Sequence, residues 1–173
     1  MTQVRGWFGR RFDFEIPSEM LPNVEARLRG TPARLEDLLR DCPQSTLVRK
    51  PSGKWSAQEH AGHLYELEGV WLSRVNDYLA GHERLTPADL TNRGTDEANY
   101  NGRLLGDIFR DFRYARQALL RRLHQADGSA FSGAIPHPRL GTPMRLIDHL
   151  HFVAEHDDHH LAHMWELITD SSR

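Results

Sequence analysis

Six of the eleven histidines in this chain fall between Asp148 and His163, in the run DHLHFVAEHDDHHLAH. Within it His156 and His160 are four residues apart. If the run is helical, a rotation of about 100° per residue sets them roughly 40° apart, one turn above the other. That spacing lets two imidazoles on one helix reach the same divalent ion. His159 and His163 repeat it, but turn further from the apolar face. Two imidazoles leave a metal undercoordinated, so a third ligand is expected from another element. Glu59-His60-Ala61-Gly62-His63-Leu64 offers two candidates. His60 lies nearer the centre of its apolar arc and His63 at the edge, and periodicity does not choose between them. Asp157 falls near the middle of the apolar arc of its own helix. A buried carboxylate needs a partner, so Asp157 is expected to accept from a ligand imidazole.

These residues need helices to position them. Thr142 to Asp170 reads as one, with Thr142 as N-cap, Pro143 opening it, and Leu146, Leu150, Val153, Leu161, Met164 and Ile168 on a buried face. Ser56-Ala57-Gln58-Glu59 is a capping box. It starts a helix with Leu64, Leu67, Trp71, Val75 and Tyr78 inward, stopped by Gly81 near Ala80. Pro17 to Arg29 is predicted helical, and Gly30-Thr31-Pro32 is expected to restart the helix, with Thr31 as cap. A further helix spans about Leu104 to Gln125, with Ile108, Phe112, Ala115, Leu119 and Leu123 inward. Its arginines 110, 113, 116, 121 and 122 are expected outward as a solvated face. Two long polar loops, His82–Gly102 and Asp127–Gly141, join these elements, and no stretch alternates as a β-strand does. The prediction is an all-α four-helix bundle with long crossover loops, one domain over residues 1–173 that begins with an arm over residues 1–16. Bundles of this kind build metal sites between facing helices.

Composition narrows the function classes. Of 173 residues, 39% are hydrophobic and 27% charged, as in an ordinary globular protein. A net charge of −2 gives no basic footprint for nucleic acid. No apolar run approaches a membrane span, and the first fifteen residues lack the apolar core of a signal peptide. The single cysteine, Cys42, excludes an internal disulfide. Cytoplasm is therefore the expected location.

Trp55-Ser56-Ala57-Gln58-Glu59-His60-Ala61-Gly62-His63-Leu64, followed by Glu66 and Glu68, resembles the second helix of the DinB superfamily, and Glu155 to His163 resembles its last. The resemblance implies a divalent metal held by a histidine before the Leu of the second helix and by two residues four apart on the last. Matched to this chain, these are His63, His156 and His160, which decides for His63 over His60. An all-histidine triad suits zinc, nickel or iron better than magnesium or calcium. Three imidazoles with open positions describe a catalytic rather than a structural site, where the ion lowers the pKa of a bound water or thiol. Asp157, Asp158 and Glu66 are then candidate proton relays, and Arg93 and Arg139 candidates for an anionic small-molecule substrate. Family relatives include transferases of low-molecular-weight thiols such as bacillithiol, a mycothiol-dependent maleylpyruvate isomerase, and members labelled metal-dependent hydrolases. The implied activity is thiol S-transfer through a metal-activated thiolate. Metal-dependent hydrolysis and a non-catalytic, metal-stabilised stress or binding protein are the alternatives. A polar crossover over Leu90–Asn99 is expected to wall the pocket if the site is catalytic. The resemblance also implies a homodimer, with the arm Trp7–Phe14 either at that contact or packed on its own domain.

Overall fold

The computed structural model describes residues 3–169, apart from the side chains of Ser52 and Ser129. Helix α1 (Leu21–Leu39) is followed by a single turn, α2 (Gln44–Leu47), then by α3 (Ala57–Glu66) and α4 (Glu68–Leu79). A one-turn helix, α5 (Arg93–Glu97), interrupts the crossover to α6 (Leu105–Leu123). A hairpin of β1 (Ala134–Pro136) and β2 (Pro143–Arg145) precedes α7 (Leu146–Thr169). Helix α1, the α3–α4 pair, α6 and α7 pack against one another as the four-helix bundle that the apolar periodicity predicts.

Several boundaries differ from expectation for identifiable reasons. Helix α1 runs straight through Thr31-Pro32 instead of restarting there. Proline removes the amide that would bond the Leu28 carbonyl, and Arg116 Nη1 bonds that carbonyl instead at 2.9 Å. The α3–α4 segment is divided at Leu67, which stays in right-handed helical conformation and accepts from the Trp71 amide at 3.0 Å. Gly81, at φ +67°, ends α4 as expected. Residues 143–145 are strand rather than first helical turn. The Asp148 carboxylate accepts from the Arg145 amide at 3.0 Å and starts α7 three residues later than Pro143. Asp170 lies outside the described residues. The crossover carries more structure than expected: α5 and a 3-10 turn at Tyr100–Gly102 are entered through Asn92 and Asn99, both left-handed.

The core divides into two apolar clusters. One holds Leu28, Trp71, Val75, Leu119 and Leu150, and the other Leu35, Leu64, Phe112 and Met164. Thr31, Glu68, Arg116 and Asp157, from α1, α4, α6 and α7, form a buried polar group joined by hydrogen bonds. Arg116, expected in a solvated row, is 1% exposed. It donates to Glu68 at 2.6 Å and to Asp157 at 2.6 Å, and Thr31 Oγ1 lies 2.7 Å from Asp157.

The N-terminal arm packs within its own chain, antiparallel to α7. Val4 N donates to Glu166, Arg10 pairs with Glu155, and Ile16 N reaches Asp148. Trp7 and Phe12 sit 5.0 and 5.2 Å from the Phe152 ring. Met1 and Thr2, at the start of the predicted arm, lie outside the described residues.

Candidate metal centre

The capping box predicted for the second helix is formed. Ser56 Oγ accepts from the Glu59 amide, and the Glu59 carboxylate accepts from the Ser56 amide at 2.8 Å. It fixes where α3 begins and hence where His60 and His63 face. Gly62 lets the helix approach the crossover closely: a Cβ there would stand 2.1 Å from the Tyr100 ring. Tyr100 in turn donates to Glu66 at 2.7 Å.

His63, His156 and His160 come together from α3 and α7, each offering a ring nitrogen within 4.8 Å of the others. They are 3, 4 and 5% exposed. The Nε2 atoms of His156 and His160 are 3.1 Å apart, close to the roughly 3.3 Å separating two imidazole donors around a tetrahedral ion with bonds near 2.05 Å. The second nitrogen of His63, Nδ1, lies 2.9 Å from Thr95 Oγ1, and that of His160 lies 2.8 Å from His60 Nδ1. His60 thus stands behind His160, on the side away from His156.

Burial keeps these rings neutral, and neighbouring imidazoles add to the effect. His63 and His159 are pushed down to about 4 and His60 to about 3, while His156 and His160 fall well below 6.5. Near pH 7 the cluster therefore presents lone pairs, which is what a divalent ion requires. The residues fit such an ion in number, donor type and spacing.

The three histidines border a cavity of about 640 Å³. Trp7, Trp55, Trp71 and Phe152 supply much of its wall. Trp55 is held by Asp96, which accepts from Nε1 at 2.8 Å, and its ring lies 4.6 Å from His63. The crossover closes one side through Pro87, Leu90 and Asn92, without separating the histidines from the cavity. His159, expected to turn away from the core, is buried: Trp7 of the arm lies 5.4 Å from its ring.

The carboxylates expected near the site are engaged elsewhere. Asp157 accepts from Arg116 and Thr31, not from an imidazole, because a buried guanidinium at mid-bundle satisfies it better than a neutral ring. Asp158 pairs with Arg27 and Arg34, and Glu66 with Tyr100. Of the two arginines expected at a substrate, Arg139 lines the cavity, whereas Arg93 is exposed and pairs with Glu97 at 3.9 Å. Thr95, Arg74 and His137 belong to the site without having been predicted. Arg74 follows Trp71 by three residues, a spacing that places it on the same face. Thr95 sits on the one-turn helix α5 and His137 directly after β1, in segments whose sequence carries no period.

No curated protein matches this chain. Among solved structures, YfiT from Bacillus subtilis, described as a probable metal-dependent hydrolase with an unusual four-helix bundle topology, is 18% identical and matches with a TM-score of 0.81 over 94% of each chain. A mycothiol-dependent maleylpyruvate isomerase is 11% identical, with a TM-score of 0.65 over 85% of this chain and 60% of that one. This chain thus spans three-fifths of that protein's length. At these identities the likeness is one of fold. The sequence model of the DinB superfamily matches residues 27–164, from within α1 to within α7, a stretch that contains all three clustered histidines. On that match the chain belongs to the DinB superfamily.

Proposed function

We propose that this protein is a divalent-metal-dependent enzyme that transfers a low-molecular-weight thiol to a small electrophile, with His63, His156 and His160 as metal ligands. The observation that carries the reading is the convergence of three buried, neutral imidazoles at the wall of a substrate-sized cavity. Three protein ligands would leave a bound ion short of the four that close a structural site, and the histidines line the cavity. Imidazole suits zinc, nickel or iron. When bound, such an ion lowers the pKa of a thiol or water at the site.

The chain's own residues prepare that chemistry. Thr95 and His60 hold the outer nitrogens of His63 and His160, which fixes the direction of their inner lone pairs. Trp7, Trp71 and Phe152 replace water with aromatic surface, favouring a soft thiol and an apolar electrophile over bulk solvent. With Asp157, Asp158 and Glu66 engaged elsewhere, acid–base work in the cavity falls to imidazole. Hydrolysis with water as nucleophile at the same histidines is the second reading, favoured by the description of YfiT as a probable metal-dependent hydrolase.

The test is turnover by protein loaded in turn with zinc, nickel and ferrous iron, assayed with cysteine, glutathione, bacillithiol and mycothiol against an aryl electrophile. Thiol consumption that needs the metal and disappears in His160→Ala is the expected result. Metal-dependent ester or amide cleavage without a thiol would put hydrolysis first. Neither activity with any of the metals would overturn both.

A further inference from the structure

A guanidinium removed from water needs a counter-charge or a full set of acceptors. Arg116 has Glu68 and Asp157, and Arg145 has Asp148. Two arginines on the cavity wall have neither. Arg74 is 2% exposed, yet its polar contacts are only with neutral groups: Nε donates to the Thr86 carbonyl at 2.8 Å, and Nη1 stands 3.0 Å from His137 Nε2. Asp77, its nearest acidic neighbour along the helix, is bonded to Thr86 and His82. Arg139 stacks over Phe8 and Phe152, and its Nη2 is buried with no hydrogen-bond partner among the described residues.

His137 marks where the missing acceptor belongs. The tight hairpin turn, closed by Gly141 N bonding to the His137 carbonyl at 2.8 Å, fixes its ring. The amides of Arg139 and Leu140 donate to Nδ1 at 3.2 and 3.3 Å, which leaves the ring proton on Nε2. That N–H confronts the Arg74 guanidinium, donor against donor, 3.0 Å apart. One oxygen placed beside them would accept from both. The wider cavity has the same imbalance: Lys54, Arg74 and Arg139 line it against Asp89 alone, whose carboxylate is taken up by Thr91 and the Arg93 amide.

We infer that Arg74, Arg139 and His137 form the carboxylate-binding end of the substrate cavity, so that the small molecule acted on carries a carboxylate joined by a short apolar segment to its reacting atom. Trp71 lies 5.6 Å from the His156 ring, with the Arg74 guanidinium 5.2 Å from its own centroid. Phe152 lies 4.9 Å from His137 and precedes His156 by one helical turn. The two ends are therefore separated by about 6 Å of helix rise, four residues at about 1.5 Å each, and by aromatic surface. A planar guanidinium pairs with a carboxylate in two parallel hydrogen bonds, and the aromatic faces accept the apolar segment. The inference rests on the cavity being the substrate site of the reading above. It does not depend on the metal.

The experiment compares 3-phenylpropionate with its uncharged amide, read by quenching of the cavity tryptophans Trp7, Trp55 and Trp71. Metal-loaded protein, Arg74→Gln, Arg139→Gln and His160→Ala are titrated in parallel. We expect the carboxylate to bind at least tenfold more tightly than the amide. In Arg139→Gln acid binding weakens roughly tenfold or more, well beyond any change in amide binding, so that the preference is largely lost, whereas it survives in His160→Ala. Arg139 is only half-buried, so its variant carries the test if Arg74→Gln does not fold. Equal binding of acid and amide, or full acid binding by Arg139→Gln, would overturn the inference. Acid binding lost in His160→Ala but kept in Arg139→Gln would assign the carboxylate to the metal and overturn it too. A protein without metal that keeps arginine-dependent binding would contradict the metal reading and leave this one standing.

Discussion

An imidazole that is to ligate a metal needs its second nitrogen held, and in the two proposed ligands His63 and His160 this is done by different means. His160 leans on another imidazole, His60, while His63 leans on a hydroxyl from the crossover, Thr95. Thr95 is 2% exposed, so removing its oxygen leaves His63 Nδ1 without that partner in a dry setting. In Thr95→Val we expect metal affinity to fall by about 10- to 100-fold, measured by competition with a chromophoric chelator, while the helical circular dichroism stays unchanged. Unaltered affinity would show that Thr95 does not orient the ligand. The spacing of His156 and His160 was legible in the sequence because the helical period fixes which residues share a face. The choice between His60 and His63 was not, since one lies nearer the centre of the apolar arc of α3 and the other at its edge, and either position can face a partner helix. Their ranks are set by what α7 presents opposite them: His160 meets His60 with one nitrogen and faces His156 with the other. Thr95 carried no signal, because its place depends on how the 25-residue connection between α4 and α6, residues 80–104, closes back over α3.

At the scale of elements, the bundle is keyed by its mid-height polar layer. Arg116 touches three helices besides its own, through Leu28, Glu68 and Asp157. Replacing it with Met leaves two buried carboxylates unpaired and the Leu28 carbonyl, freed by Pro32, without its donor. Breaking a buried ionic group in this way costs about 3–5 kcal/mol, which urea denaturation of Arg116→Met should register as a lower midpoint at similar slope. A loss below about 1 kcal/mol would mean that the layer contributes little. The apolar stripe was read with Ala115 inward and Arg116 outward, yet Arg116 follows Phe112 by four residues and so borders the same face. The acidic partners on α4 and α7 decide, and these are visible only once the helices are packed. The same holds for Pro32, whose helix-breaking tendency is countered by a donor more than eighty residues away. Gly62 makes the complementary point for α3. Its lack of a side chain admits Tyr100, so Gly62→Ala should displace the crossover and destabilise the fold by about 1–3 kcal/mol, read in the same denaturation assay.

For the molecule as a whole, burial of so many imidazoles ties stability to pH. His149 is fully buried in the apolar cluster near Trp71 and Tyr78, with no hydrogen-bond partner for either nitrogen among the described residues. Burial first, then Arg74 and His137, hold it well below 6.5. The unfolded chain binds a proton at this residue near 6.5 while the folded chain does not. Stability present above that pH is therefore lost as pH falls, by about 1.4 kcal/mol per pH unit for one such residue. In His149→Leu the dependence of unfolding free energy on pH, measured in urea between pH 6 and pH 5, should be shallower by about that amount. An unchanged slope would contradict the assignment. The arm belongs to the same scale. It was legible as an aromatic segment, but its course along α7 is set by Phe152, Glu155 and Glu166 on one side of that helix, and the arm has no period of its own to show which side it meets.

The proposed chemistry requires His63, His156 and His160 to hold an ion. Metal content by mass spectrometry, on untagged protein and on the His63→Ala and His160→Ala variants, tests it most directly. The expected result is near-stoichiometric zinc, nickel or iron in the parent protein and loss of that metal in both variants, each still folded by circular dichroism. A parent protein with no metal, or variants that retain it in full, would contradict the central claim.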